Sequence, residues 1–247
     1  TLFGYVNFPY FDDRETVRTY YPLKKDDKDP NLILPSFTSA LVKEYDSNAY
    51  HYIEKKINKK TIINYTRKVT DTVAQYWVVE GERLLLEPDH VDSNRIRNKI
   101  ALLAYFNTDQ NDIEDKKFTP LNEKFAGKSW PDMNGILVHA NIISMILEKN
   151  YIKKVPLWGN LLLAIFVCWL HMSFFVHYYL ESHIWFHLAA KIAQVASTIL
   201  FAWLGIFIYS KYGLKVDMKM SLITILLAVD VIYFYEAWAV WMHKKFN

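Results

Sequence analysis

The sequence is poor in the residues and motifs that announce chemistry. Among 247 residues there is one cysteine, Cys168, which excludes an internal disulfide framework and any cysteine-based metal cluster. It sits inside an apolar run, where a thiol serves as a small buried hydrophobe. There is no Gly-x-Ser-x-Gly elbow, no His-Glu-x-x-His pair, no phosphate loop and no dinucleotide fingerprint. Enzymatic turnover is therefore not expected, and no cofactor is called for. Charge of one sign is also scarce. A formal net charge of +3, with lysines scattered among acids, does not make a nucleic-acid surface. The chain opens Thr-Leu-Phe-Gly without an initiator Met, a signal peptide or a leading apolar anchor. That opening reads as a fragment or processed product, with a further span expected before Thr1.

What is present falls into two halves. Residues 1–152 are rich in Lys, Asp, Glu and Asn, whereas 153–247 carry long apolar runs and most of the tryptophans. Three segments, about 157–179, 188–209 and 220–242, have the roughly 20 residues that a transmembrane helix needs. Trp158, Trp185, Trp238 and Trp241 lie near segment ends, where indoles favour the headgroup layer. Short connections around Glu181–His187 and Lys211–Lys219 predict an up-down-up hairpin arrangement, with the head and the C-terminus on opposite sides of the bilayer. Lys153, Lys154, Lys211, Lys215 and Lys219 flank the spans on the head's side, and Lys191, Lys244 and Lys245 on the other. Read alone, that bias puts the head on the cytoplasmic side.

Polar residues inside the spans are costly. Asp230 falls near the middle of the third segment, where a charge costs at least about 2.5 kcal/mol. His171, Ser197 and Thr198 lie at similar depth at about 1.5 Å of rise per residue. An interhelical polar layer, or a docking point for a partner's helix, is expected there, with Asp230 and His171 as its contacts; a proton relay is the sharper alternative.

The head reads as alternating strands and helices. Strands are predicted at Leu2–Phe8, Thr16–Tyr21 and Thr61–Tyr65. Lys99–Phe106 reads as a strand buried on both faces, and Gly135–His139 as another. Ser36 is placed to cap one helix and Ser47 a second. Such alternation argues for an α/β domain, a mixed and partly parallel sheet flanked by helices, followed by an all-α three-helix transmembrane bundle. In the stretch Gly135-Ile136-Leu137-Val138-His139-Ala140-Asn141 the strand is expected to turn into a helix over Ile142–Lys149. Asn141 would cap that helix and His139 would end the strand. Ligands of parallel sheets bind at strand C-terminal ends, so His139 would also face the long connection Asn107–Asn134. That connection holds Asp109, Asp112, Glu114 and Asp115, but Ile113 occupies a ligand place of the EF-hand pattern and no glycine sits sixth, so no metal is expected.

The ordered set Arg18-Thr19-Tyr20, Pro35-Ser36-Phe37, Ile63-Asn64-Tyr65, Lys99-Ile100-Ala101-Leu102-Leu103, Asp115 with Thr119-Pro120-Leu121, and Met133 through Asn141, followed by three spans, resembles the CHASE2 family of bacterial extracytoplasmic sensor domains, in the version typical of Bacteroidetes. The resemblance implies a periplasmic head in the inner membrane, a cytoplasmic C-terminus, and a signalling role through an output module. Here the leading helix and the output domain are expected to be missing, so signalling through a partner is implied. The resemblance itself assigns no binding residues; His139, Asn141, Asp115 and Thr119 are taken as the ligand-binding candidates for an unknown periplasmic small molecule, with a structural role expected first for His139 and Asn141. Three functions follow: a sensory head, an interaction subunit of a membrane complex or homo-oligomer, and a relay-type transporter component.

Overall fold

A computed structural model describes residues 3–9, 15–70, 74–87, 89, 91–109, 111–122, 130–181 and 186–246. The chain divides into two compact units, Thr1–Tyr151 and Ile152–Asn247.

In the first unit, short strands serve as staples. β1 (Thr19–Tyr20) pairs antiparallel with β4 (Thr61–Ile62), and β2 (Leu23–Lys25) with β3 (Ile33–Pro35). β5 (Lys116–Lys117) pairs antiparallel with β6 (Met133–Asn134). The described residues of this unit thus form three separate two-stranded ladders, and parallel pairing is confined to the bridges Tyr5–Ser36 and Leu23–Ile57. The partly parallel sheet expected from the alternation is not what organises the head.

A helix organises it instead. α5 (Gly135–Leu147) is buried around nearly its whole circumference, with Leu137, Val138, Ile142, Ile143, Met145 and Ile146 all in the core. A helix apolar all round belongs inside a protein. Against it pack α1 (Phe37–Tyr45) and α2 (Ser47–His51), and Val17, Tyr20, Ile53 and Ile63 complete the core. The Gly135–His139 segment is therefore the first turn and a half of this helix, not a strand. Its apolar run suits either element, and only its surroundings decide.

Other local expectations divide in the same way. Ser36 caps α1, its hydroxyl accepting from the Ser39 amide at 3.2 Å. The cap of α2 is Asp46 and not Ser47, its carboxylate accepting from the amides of Asn48 and Ala49 at 2.9 and 3.1 Å. The Leu2–Phe8 strand reduces to the Tyr5 bridge among its described residues. Lys99–Phe106 is not a strand either. Ile100, Leu102 and Phe106 lean on the core from one side, while Leu103 is 88% exposed and the backbone joins no ladder. Residues 10–14, between the expected strands Leu2–Phe8 and Thr16–Tyr21, lie outside the described residues.

The second unit is three long helices on a small collar. β7 (Lys153–Lys154) pairs in parallel with β8 (Leu214–Lys215), so α6 (Leu157–Glu181) and α8 (Lys219–Phe246) leave the same end. Asn160 locks that end. Buried, it donates from Nδ2 to the Val155 carbonyl at 3.2 Å and accepts the Asp217 amide at 3.2 Å. α7 (Phe186–Tyr212) closes on Gly213, whose φ of 59° and amide bond to the Tyr209 carbonyl make a left-handed cap. Leu157–His177 and Leu188–Tyr212 are long and apolar enough to cross a membrane. The third stretch passes only as a bent pair, Lys219–Ala228 and Asp230–Lys245, at 50° to one another.

The buried Gln194 amide donates to the carbonyls of Ile225 and Leu226 at 3.2 and 3.0 Å. Those carbonyls lie one turn before residues 229 and 230, so a polar side chain of α7 meets α8 at the bend. One turn from Gln194 on α7, the Lys191 ammonium lies 3.8 Å from Asp230. The expected polar layer is organised differently. His171 bonds the Val167 carbonyl at 2.9 Å, and Ser197 and Thr198 bond the Gln194 carbonyl at 3.1 and 2.7 Å, each within its own helix. Asp230 meets Lys191, not His171. Replacing Lys191 by Leu should lower the melting temperature of the detergent-solubilised chain more than the double change Lys191→Leu with Asp230→Leu, because the single change strands a carboxylate. Equal losses would remove the ion pair from this account.

Candidate functional site

The four head residues singled out by sequence occupy α5 and its approach. Asp115, with φ 54°, turns the chain so that its carbonyl accepts the Gly135 amide at 2.8 Å. Its carboxylate lies over the first turn of α5, the end where a negative charge is favoured. A Cβ on Gly135 would stand 2.9 Å from Asp115 Oδ1, so any side chain here would have to push the carboxylate aside. Thr119 is buried and bound to Asp132: its amide reaches Oδ1 at 2.7 Å and its hydroxyl Oδ2 at 2.5 Å. Burial pushes the Asp132 carboxyl above its ordinary pKa, and the Thr119 hydrogen bonds oppose that shift. Between them, Asn134 Nδ2 donates to the Asn107 carbonyl at 3.0 Å. These contacts hold Asn107, Asp115, Thr119 and Asp132 at the start of α5.

Asn141 is not a helix cap. It lies in the middle of α5, wholly buried, with its amide fully used. Oδ1 accepts from the Thr66 and Arg67 amides at 3.2 and 3.1 Å. Nδ2 donates to the Arg67 carbonyl and to the Leu137 carbonyl, both at 2.9 Å. An amide has two donors and one two-lone-pair acceptor, and all are satisfied here. The segment so gripped is held again by an Arg67–Glu148 ion pair and by Tyr76, whose hydroxyl meets Ser144 Oγ at 3.0 Å.

His139 lies elsewhere on the helix surface. Its ring stacks on Phe8 with centroids 4.9 Å apart and meets Phe37 edge-on at 5.4 Å. Its Nδ1 is buried with no hydrogen-bond partner among the described residues, and burial pushes its pKa down to about 4. A neutral imidazole between two phenylalanines suits packing, not proton transfer. Asp115 and Thr119 share one corner, while His139 and Asn141 serve two further contacts; the four do not converge on a cleft.

A concavity lies where sequence reasoning did not look. Directly after the Tyr76 anchor, Trp77–Glu80 with α3 (Gly81–Leu86) and α4 (Ser93–Ile96) borders an open surface depression of about 400 Å³. Its walls are Trp77, Val78, Val79 and Val91, with Glu80, Arg83, Asp92 and Arg95 among them. Arg95 is occupied: its Nε lies 3.6 Å from Asp92, and its guanidinium sits 5.7 Å over the Trp77 ring. No local motif marks this site, because three separate segments build it. The only available signal was an aromatic residue followed by valines and alternating charges. The acids Asp109, Asp112, Glu114 and Asp115 do not gather: among the described residues no three His, Cys, Asp or Glu side chains cluster as a metal would require.

Two outcomes follow from these contacts. Asn141→Leu, similar in size, leaves the part-buried Thr66 and Arg67 amides and the Arg67 carbonyl without this partner and should cost about 2 kcal/mol in unfolding free energy. A change under about 0.5 kcal/mol, within the range of surface substitutions, would contradict the clamp. For His139, the depressed folded pKa means that the unfolded chain binds the extra proton first. Its contribution is complete above pH about 6.5 and is lost as the pH falls toward about 4, by roughly 3 kcal/mol in all. His139→Phe should flatten that acid limb in thermal unfolding between pH 7 and 4.5, and an unchanged slope would assign the limb to other groups.

Comparison with known proteins adds one finding. A family model, the CHASE2 domain, matches residues 1–174, which covers the whole first unit and continues into α6. Neither a curated protein nor a solved structure matches the chain. With most of its length and the first apolar helix inside the match, the chain belongs to the CHASE2 family of extracellular sensory domains.

Proposed function

We propose that the protein is a membrane-anchored extracytoplasmic sensor whose head binds a small ligand and whose helices convey that event to a partner. The observation that carries this reading is the family match over residues 1–174, which joins a sensory head to the first apolar helix in one unit of descent. Two long apolar helices and a bent third supply the anchor. A binding role for the head is in keeping with the packing of His139, which is buried between phenylalanines. The head lies in the periplasm of a bacterial inner membrane, with the C-terminus in the cytoplasm. Lysines 153, 154, 211, 215 and 219 beside the first end of the bundle do not oppose this, because long folded domains translocate largely regardless of flanking charge.

A partner is part of the proposal. Leu85 and Leu86 on α3 are 82% and 71% exposed, beside the cavity, and an apolar surface of this kind favours association with another membrane protein or a second copy.

Single cysteines placed on a Cys168→Ser background test the arrangement. Asp27→Cys, on an exposed turn of the head, should react with a membrane-impermeant maleimide on intact spheroplasts, and Lys244→Cys only after lysis. The opposite pattern would overturn the sensor orientation.

A further inference from the structure

We propose that the cavity between Trp77–Glu80, α3 and α4 is a binding site for a small zwitterion with an apolar side chain, of the α-amino acid class. The inference rests on the sensory reading above and names the chemistry that the head would take.

The charges that line the cavity are not equivalent. Asp92 and Arg95 pair with each other, and Asp92 also caps α4 through the Asn94 amide at 3.0 Å. Arg95 braces the Trp77 ring from one side, and the ring remains 46% exposed. Glu80 and Arg83 differ from that pair. Both line the cavity, and among the described residues neither side chain has a hydrogen bond or ion pair. Glu80 holds the cap position of α3 without using its carboxylate as a cap. One acid and one base without a protein partner therefore stand on the rim, Glu80 at the cap position of α3 and Arg83 within that helix.

This arrangement selects a ligand by exclusion. A simple anion would be drawn by Arg83 and opposed by Glu80. A simple cation would meet the reverse. A neutral apolar molecule would use Trp77 and the valines but gain nothing from either exposed charge. A molecule with a carboxylate for Arg83, an ammonium for Glu80 and an apolar group for Trp77, Val78 and Val91 satisfies all three. Arg suits the first contact because its planar fork matches a carboxylate. The cavity lies in the range that holds small ligands, about 300–1,000 Å³. Its position also links it to the core, since Tyr76, one residue before Trp77, is bonded to Ser144 of α5.

The test uses the full chain in lipid nanodiscs and isothermal titration with L-leucine and L-phenylalanine. Leucinamide, which lacks the carboxylate, N-acetyl-leucine, which lacks the ammonium, and the dipeptide Leu-Leu are titrated beside them. The expected result is saturable binding of at least one free amino acid, with leucinamide, N-acetyl-leucine and the dipeptide each weaker by about tenfold or more. Arg83→Gln and Glu80→Gln should each weaken binding by a similar factor, and Trp77→Ala should abolish it. The melting temperature without ligand should stay unchanged in the two charge variants, since both groups are unpaired. No binding by either amino acid, equal binding of leucinamide or N-acetyl-leucine, tighter binding of the dipeptide, or indifference to both Arg83→Gln and Glu80→Gln would overturn the assignment. Maleimide labelling separates this failure from failure of the sensor reading: a head labelled from outside that binds no amino acid leaves the sensor standing and removes only this ligand.

Discussion

The fold of the head depends on burying one polar side chain well. α5 can sit inside the first unit because its apolar residues face the core in every direction, and a helix already satisfies its own backbone. The neighbouring segment 63–67 largely lacks such a ladder. Its amides at Thr66 and Arg67 need partners, and Asn141 supplies them from within the helix. Three hydrogen bonds from one amide to residues 66 and 67 make the contact specific in register as well as favourable, because a shift by one residue would leave those three unmade. From that point the chain continues through the Arg67–Glu148 ion pair and the Tyr76–Ser144 bond to Trp77. The cavity wall is thus set by contacts with the core helix, although the cavity itself is at the surface.

The second unit uses polar groups in the same way, against a different background. Between apolar helices in lipid there is little hydrophobic gain from association, and packing with a few hydrogen bonds decides the geometry. Asn160 ties the starts of α6 and α8 together. Gln194 takes up two α8 carbonyls where that helix bends, and Lys191 stands beside Asp230 just past the bend. A charge that would be costly in the bilayer thus has a cation from the adjacent helix. Phe175, Ala190, Ala228 and Ile232 fill the space near it. The bend and the ion pair are two aspects of one polar contact between α7 and α8.

At the end of the head, Tyr151 is held before the chain passes to the second unit. Its ring stacks on Tyr52 at 4.5 Å, and the Lys56 ammonium sits 4.3 Å from its centroid. Burial lowers the Lys56 pKa, so the ammonium relies on the two rings in place of part of its hydration. A sensory family, a cavity tied to the core helix and a firmly held exit residue form a consistent set. Each is a binding or packing device, and none requires a reacting group.

What the sequence determined by itself was local or compositional. The polar and apolar halves, the positions of the three long apolar stretches and the Ser36 cap follow from hydropathy and from side chains bonding amides three residues away. The ordered motif set was enough to point to the family. Tertiary structure decided everything that needed a partner distant in sequence. Gly135–His139 is helical because apolar neighbours surround it on all sides, which a short apolar run cannot reveal. Lys99–Phe106 lacks a ladder because no strand lies beside it. Asn141 grips residues 66 and 67 instead of capping a helix, Lys191 meets Asp230 across two helices, and the Trp77 cavity arises where three segments converge. The physical reason is common to all of these: a residue's propensities are carried by its own backbone and near neighbours, whereas its hydrogen-bond and ion-pair partners exist only once the chain has folded.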